Sequence, residues 1–252
     1  MIRESQYFMF NDIPSYEIGA VNVNTEGGLL EETFIANRTV NEAYARLASE
    51  PYVDSVKREP YEIPLNFYIE NHLDEKNIRR VARWLDVDDY KPLAFSSNLD
   101  IIYFALPVNA TDLVHNCSND GYVKLTMKVF PYKYGRDITT HWYDVSSGTK
   151  NIEIDNIGDL DIPLSLEFKK IGDGNITIEN LTAYKEPLIF TAIKHQEIMN
   201  VNANKGLITS SVTGYECYDH VNEQYVILSR GKNRIKITGE CHIRLIYRYK
   251  YL

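Results

Sequence analysis

The side chains that could do chemistry in this sequence fall into three groups. The first is sulfur with imidazole: Cys217 with His220, and Cys241 with His242, would offer S and N donors to one metal if their strands were neighbours. On one strand, however, Cys241 and His242 point to opposite faces, which works against joint ligation. Three cysteines cannot all pair within a chain, and Cys117, Cys217 and Cys241 show no CxxC spacing. Buried free thiols in a reducing compartment are therefore favoured over a Cys217–Cys241 disulfide, and neither metal nor cofactor is expected. The second group is acidic. Glu31 with Glu32, and Asp88 with Asp89, sit in polar stretches where carboxylates are simply hydrated, and no Ser, His and Asp set is signposted. GxGxxG, GxSxG and P-loop patterns do not occur either, so no enzyme activity is expected. The third group is aromatic: Trp142, Tyr143, Tyr215 and Tyr218 could stack on a sugar ring, or could equally fill a core or a protein interface.

The elements that must position these residues are mostly strands. The chain has 252 residues, 44% of them hydrophobic, enough for one large core or two moderate ones. Its 19 tyrosines and many β-branched residues, set between Gly, Asn and Asp turns, favour a mainly β protein. No apolar run is long enough to span a membrane, and MIRESQYFMFND lacks the pattern of a signal segment, so a soluble protein is expected.

The stretch from Glu59 to Val108 reads as strand, helix, turn, strand. Ile63, Leu65, Phe67 and Ile69 alternate with Pro64, Asn66, Tyr68 and Glu70, the period of a half-buried strand, with Pro64 suited to an edge or a strand start. Asp74 can cap a helix whose apolar face is Ile78, Val81, Ala82 and Leu85, with Arg79, Arg80 and Arg83 on the other side. A strand from Ile101 to Val108 follows. Near the N-terminus, residues 7–24 read as a strand pair around Asn11-Asp12. A second helix is expected where Thr39 and Glu42 form a capping-box pattern and Val40, Ala43, Tyr44 and Leu47 give an apolar face before Pro51. Beyond Gly135 the rhythm of short strands and Asp-Gly, Asn-Lys-Gly and Arg-Gly turns is that of an antiparallel sandwich.

Charge excludes little but bounds the partners. Residues 1–136 carry 14 Lys and Arg against 20 Asp and Glu, a net of −6, within −8 for the whole chain. Neither half looks like a nucleic-acid reader. Arg230, Lys232, Arg234 and Lys236 do share one strand face, with Arg244, Arg248 and Lys250 on another across the Gly239 turn. Such a stripe could hold phosphates. It is also the usual solvent face of strands whose Ile235, Ile237, Ile243 and Leu245 turn inward, and that reading is favoured.

The ordered set Glu62, Pro64, Leu65, Phe67, then Ala82, Arg83, Trp84, Leu85, then Lys91, Leu93, Phe95, Tyr103 and Ala105 resembles the N-terminal domain of siphophage distal tail proteins. Phe10, Asn11 and Ile13 resemble that family's opening strand and turn, and Leu228, Gly231, Asn233, Ile235, Ile237 and Gly239 its closing hairpin. The resemblance implies a mainly β protein with two short helices. Residues 1–136 would form a ring-building β-sandwich or split-barrel-like domain with a packed helix, and residues 137–252 a galectin-like β-sandwich. It implies a structural virion protein at the phage tail tip, made in the host cytoplasm. Its subunits would form a hexameric ring that joins the tail tube to the adsorption apparatus and leaves a channel for DNA. Its partners would be tail tube, tape-measure and tail-lysin or fibre proteins, with no membrane and no sequence-specific nucleic acid. The excursion from about Asn24 to Lys57 resembles the arm with which these proteins embrace a neighbour, although a surface helix over the local core is an equal alternative. Phe34, Val40, Tyr44, Leu47, Arg79, Arg80 and Arg83 are then the candidate inter-subunit contacts. Carbohydrate binding through Trp142, Tyr143, Tyr215 and Tyr218 is the alternative function, which the lack of an inserted sugar-binding module weakens.

Overall fold

Strand alternation and one capped helix organise a computed structural model that describes residues 5–23, 33, 35–44, 46, 49–69, 74–115, 121–183, 185–212 and 217–252. The chain divides into two compact units, residues 1–134 with Leu252, and residues 135–251.

In the first unit, β1 (Phe8–Phe10) turns into β2 (Ile13–Pro14) through Asn11 and Asp12, both at positive φ (52° and 62°). Two left-handed residues in a two-residue loop match the twist of the strands they join, and Asn and Asp tolerate that conformation best after Gly. β3 (Ala20–Asn22), β6 (Tyr61–Ile69), β7 (Lys91–Phe95), β8 (Asn98–His115) and β9 (Gly121–Val129) complete a curled sheet in the order β2-β1-β7-β8-β9-β6-β3. Along β6, Ile63, Leu65, Phe67 and Ile69 are buried as the alternation requires. β3 pairs only with Phe67–Ile69, so Pro64 meets an open edge on that side. β8 runs well past Val108, because Asp112–His115 continue to pair with Lys124–Gly121 of β9.

The helix α1 (Glu75–Leu85) begins where Asp74 accepts the Lys76 N–H at 2.9 Å. Its buried residues are Val81, Trp84 and Leu85. Ala82 is exposed, against expectation, because the helix turns toward the large indole of Trp84 rather than the small methyl group one turn-face away. Trp84 stacks on Phe8 (5.5 Å, 19°), meets Phe10 edge-on (5.9 Å, 72°), and donates its Nε1–H to the Phe10 carbonyl at 2.9 Å.

The second expected helix does not form. Arg38–Ala43 is a strand, β4, paired with β5 (Tyr52–Arg58) in a two-stranded sheet of their own, with a bulge at Asn41/Glu42. Six residues with no buried face gain little from one helical turn, whereas pairing with the β-branched Val53 and Val56 satisfies their backbone groups.

β10 (Lys133–Tyr134) ends the first unit on Ile102 of β8. The second unit is a sandwich. One sheet holds β11 (Ile138–Thr139), β12 (Tyr143–Asp144), β15 (Ser165–Lys170), β18 (Ile198–Asn202), β19 (Leu207–Ser210) and β22 (Cys241–Tyr247). Both β11 and β12 pair with β22, and the order continues β22-β15-β18-β19. The other sheet runs β13-β21-β16-β17, from β13 (Thr149–Asn156), β21 (Gly231–Thr238), β16 (Gly174–Asn180) and β17 (Leu188–Ile193). The short strands β14 (Ile162–Pro163) and β20 (Ile227–Leu228) pair beside them, and β23 (Lys250–Tyr251) ends the chain's secondary structure. Their inner faces share one core, in which Phe168 and Phe190 meet at 5.0 Å across the two sheets.

Candidate functional site

With so little catalytic chemistry in the sequence, the functional features to examine are surfaces. The first is the β4–β5 hairpin. Every residue of β4 is exposed, and so is most of β5. Val40 and Val56 sit directly opposite each other and are 47% and 50% exposed; Tyr44, Tyr52 and Val53 are more so. The hairpin is tied at its base, where the Glu59 N–H reaches the Asn37 carbonyl at 2.9 Å. Among the expected contact residues, Val40 and Tyr44 therefore stand in solvent, while Phe34 and Leu47 lie outside the described residues. Tyr52, Val53 and Val56 were missed because a helix reading of Thr39–Leu47 hid the pairing partner downstream; the β-branched pair in YVDSVK was the available signal.

The second surface is the outer side of the N-terminal sheet. Register places Val21 opposite Tyr68, Tyr68 opposite Tyr122, and Tyr122 opposite Val114, an apolar row crossing β3, β6, β9 and β8. Val21, Val114 and Tyr122 are exposed large hydrophobics. The third surface is the outer face of α1, where Arg79, Arg80 and Arg83 are exposed as expected. Arg79 is 2.8 Å from Glu75 one turn earlier, a solvated pair that contributes little stability.

In the second unit, the basic stripe is met by acids. Lys232 lies opposite Asp155, Arg234 opposite Glu153, and Lys236 opposite Glu179. Arg248 is held by both oxygens of Asp137 at 2.7 and 2.8 Å, and Arg244 bonds Glu167. A mixed-sign face of this kind gives no continuous track for a phosphate backbone. Of the three described aromatics, Trp142 and Tyr218 stand apart on the sheet. Trp142 is 44% exposed beside the β12 edge, Tyr143 packs its ring against the core, and Tyr218 accepts the Ile208 N–H beside β19. β12 and β19 are four strand spacings apart, about 19 Å. Tyr215 lies outside the described residues.

Cys217 and Cys241 are free and buried, while His242 is turned outward near Asp144. Among the described residues, no group of three or more His, Cys, Asp or Glu side chains is placed to hold a metal. Also among them, no helix is long and apolar enough to cross a membrane. Burial pushes the Cys241 thiol up to about 12, with Lys170 acting in the opposite direction. Two of the three cysteines are accordingly expected to react with a thiol reagent only after denaturation. Because the unfolded thiol ionises near pH 9 and the folded one only near 12, this group's contribution to stability is complete below pH 9 and falls across that window. Native and urea-treated protein titrated with Ellman's reagent check the first point, and alkaline melting curves of Cys241→Ala against the native chain check the second.

Comparison with known proteins completes the picture. Residues 3–129 match a phage tail protein N-terminal domain, and residues 130–247 a phage tail C-terminal domain. The SPbeta prophage-derived uncharacterized protein YomH of Bacillus subtilis strain 168 is 83% identical over 252 residues, covering 100% of both chains. The SPP1 Dit (gp 19.1) protein, a paradigm of the hub adsorption apparatus in Gram-positive infecting phages, has the same fold. It gives a TM-score of 0.70 at 14% identity, over 98% of this chain and 99% of that one. A chain of the phage P2 baseplate in its activated conformation gives 0.58 at 8% identity, over 97% of each. With both of its halves matched by phage tail domains over residues 3–247, the chain belongs to the phage tail proteins.

Proposed function

We infer that the chain is the hub subunit of a phage tail tip, whose copies close into a hexameric ring joining the tail tube to the host-adsorption apparatus around a channel for DNA. The observation that carries this reading is the β4–β5 hairpin. A two-stranded hairpin is marginal in water by itself, and among the described residues the side chains of Val40, Tyr44, Tyr52, Val53 and Val56 stay exposed, apolar ground for another chain. An arm that grips a different surface of the next copy makes a heterologous contact, which closes a ring when repeated about an axis. The Val21–Tyr68–Tyr122–Val114 row supplies apolar ground for such a contact, and Arg79, Arg80 and Arg83 supply charge complementary to Glu42 and Asp54 of the hairpin. The excess of acid in residues 1–136, 14 basic against 20 acidic, suits a conduit that DNA traverses without being held. Tail tube, tape-measure and tail-lysin or fibre proteins are the partners this position implies, and the role needs no catalytic step.

Light scattering and electron microscopy of the whole chain, alone and with its tail tube protein, test the reading. Rings are expected from the native chain. Val40→Asp combined with Val56→Asp is expected to leave monomers with unchanged melting. A native chain that stays monomeric beside its tail partners, or a double variant that assembles as well as the native chain, would overturn it.

A further inference from the structure

Among the described residues, the sandwich leaves one long strand edge bare. The edge of β17 is covered: Asn222 donates its N–H to the Ile189 carbonyl at 3.2 Å and accepts the Ile189 N–H on Oδ1 at 2.9 Å, beside a bridge from Val221 to Phe190. On β19, Ile208 is covered likewise, its N–H by the Tyr218 hydroxyl at 3.0 Å and its carbonyl by the Cys217 thiol at 3.3 Å. β13, eight residues long, pairs with β21 alone.

Which of its backbone groups face outward follows from β21. Arg234, opposite Glu153, uses both of its main-chain groups on the far side: its carbonyl accepts the Leu181 N–H at 2.9 Å, and its N–H reaches Thr182 Oγ1 at 3.2 Å. Glu153 therefore belongs to a non-hydrogen-bonded pair and points its N–H and C=O away from β21, as do Asn151 and Asp155 two residues to either side. The Asp155 carbonyl takes the Tyr249 hydroxyl at 3.2 Å. Among the described residues, nothing takes the N–H and C=O of Asn151 and Glu153, or the N–H of Asp155. The side chains of these residues also face solvent, because Ile152 and Ile154 between them turn into the core. Charge alternates from strand to strand over this face, with Glu179 on β16, then Lys232, Arg234 and Lys236 on β21, then Glu153 and Asp155 on β13.

We propose that β13 is a β-addition site for an extended segment of another protein, with Lys or Arg opposite Glu153 and Asp155 and apolar residues in between. Main-chain bonds to Asn151, Glu153 and Asp155 would supply the affinity, and the alternate side chains the selection. The cations continue the alternation of charge, and the apolar residues extend the core past Ile152 and Ile154. A second copy of this chain is a poor occupant, since two β13 edges laid together set carboxylates against carboxylates. The charge that guards the edge against self-pairing thus selects a basic partner. The hub reading makes no use of this edge.

The probe is an end-capped Lys-Val-Lys-Val-Lys-Val-Lys peptide, titrated into the whole chain by calorimetry, and saturable binding is expected. A peptide of the same composition with its lysines in one block keeps the charge and loses the alternation. It should bind at least about tenfold more weakly, as should the alternating peptide with its lysine amides N-methylated. Asn151→Pro removes an outward N–H that β21 does not use, and should weaken binding about tenfold with melting unchanged. Glu153→Lys combined with Asp155→Lys should lose the Lys-Val peptide and gain Glu-Val-Glu-Val-Glu-Val-Glu. No saturable binding of the alternating peptide, equal binding of the block peptide, or affinity unchanged in both variants overturns the proposal. Each probe engages a single chain, so ring assembly enters none of these readouts.

Discussion

Replacing Trp84 with alanine is expected to remove about 3–5 kcal/mol of stability from the N-terminal unit. The indole is 5% exposed, stacks against Phe8, and meets Phe10 edge-on, so its loss opens a cavity between helix and sheet that neither aromatic can refill. Its Nε1–H also donates to the Phe10 carbonyl at 2.9 Å, a hydrogen bond that is lost with the indole. Since whole domains are stable by only about 5–15 kcal/mol, the loss removes a large fraction of the unit's stability. Trp84→Phe separates the two contributions by keeping most of the packing and losing the hydrogen bond. Urea denaturation followed by circular dichroism measures both. A loss below about 1 kcal/mol for the alanine variant would show that the helix does not depend on this anchor.

Gly239→Ala is expected to destabilise the second unit by at least about 2 kcal/mol. Gly239 turns β21 into β22 at φ +110°, and an added Cβ would lie 2.3 Å from the Asn175 carbonyl oxygen and 3.0 Å from Ile176 Cδ1. The first obstacle is backbone, fixed by the pairing of β16 with β21, so relief requires prying those strands apart. Gly231→Ala is the control. It too sits at positive φ, +87°, but meets nothing within 4 Å, so it carries the conformational strain alone, about 1–2 kcal/mol. Equal urea midpoints for the two variants would mean that crowding at Gly239 has been overestimated.

What was legible in the sequence follows from range. β6, β15, β21 and β22 bury alternate residues, and a period of two survives whatever the strands pair with. The Asp74 cap marked the start of α1 because its bond is made within two residues. Thr39–Leu47 failed for the opposite reason. With no buried face to impose a period, its conformation is set by a partner strand at Tyr52–Arg58, and a four-residue capping pattern could not weigh that. Nothing in the sequence around Trp142 or Tyr218 shows that β22, β15 and β18 come between the strands beside them. The phage tail family was legible only as a likeness, since each residue in that likeness also has an ordinary packing reason.

The central place of Cys241–Tyr247 in the sandwich bears on how the protein is made. That strand pairs with Ile138–Thr139, Tyr143–Asp144 and Ser165–Lys170, all of which precede it in the chain. The N-terminal sheet can close during synthesis, as early units generally do, whereas the sandwich must wait for this strand. A chain that stops short of Cys241 would hold a folded first half and an open second half, with the sandwich core exposed to water where this strand should cover it.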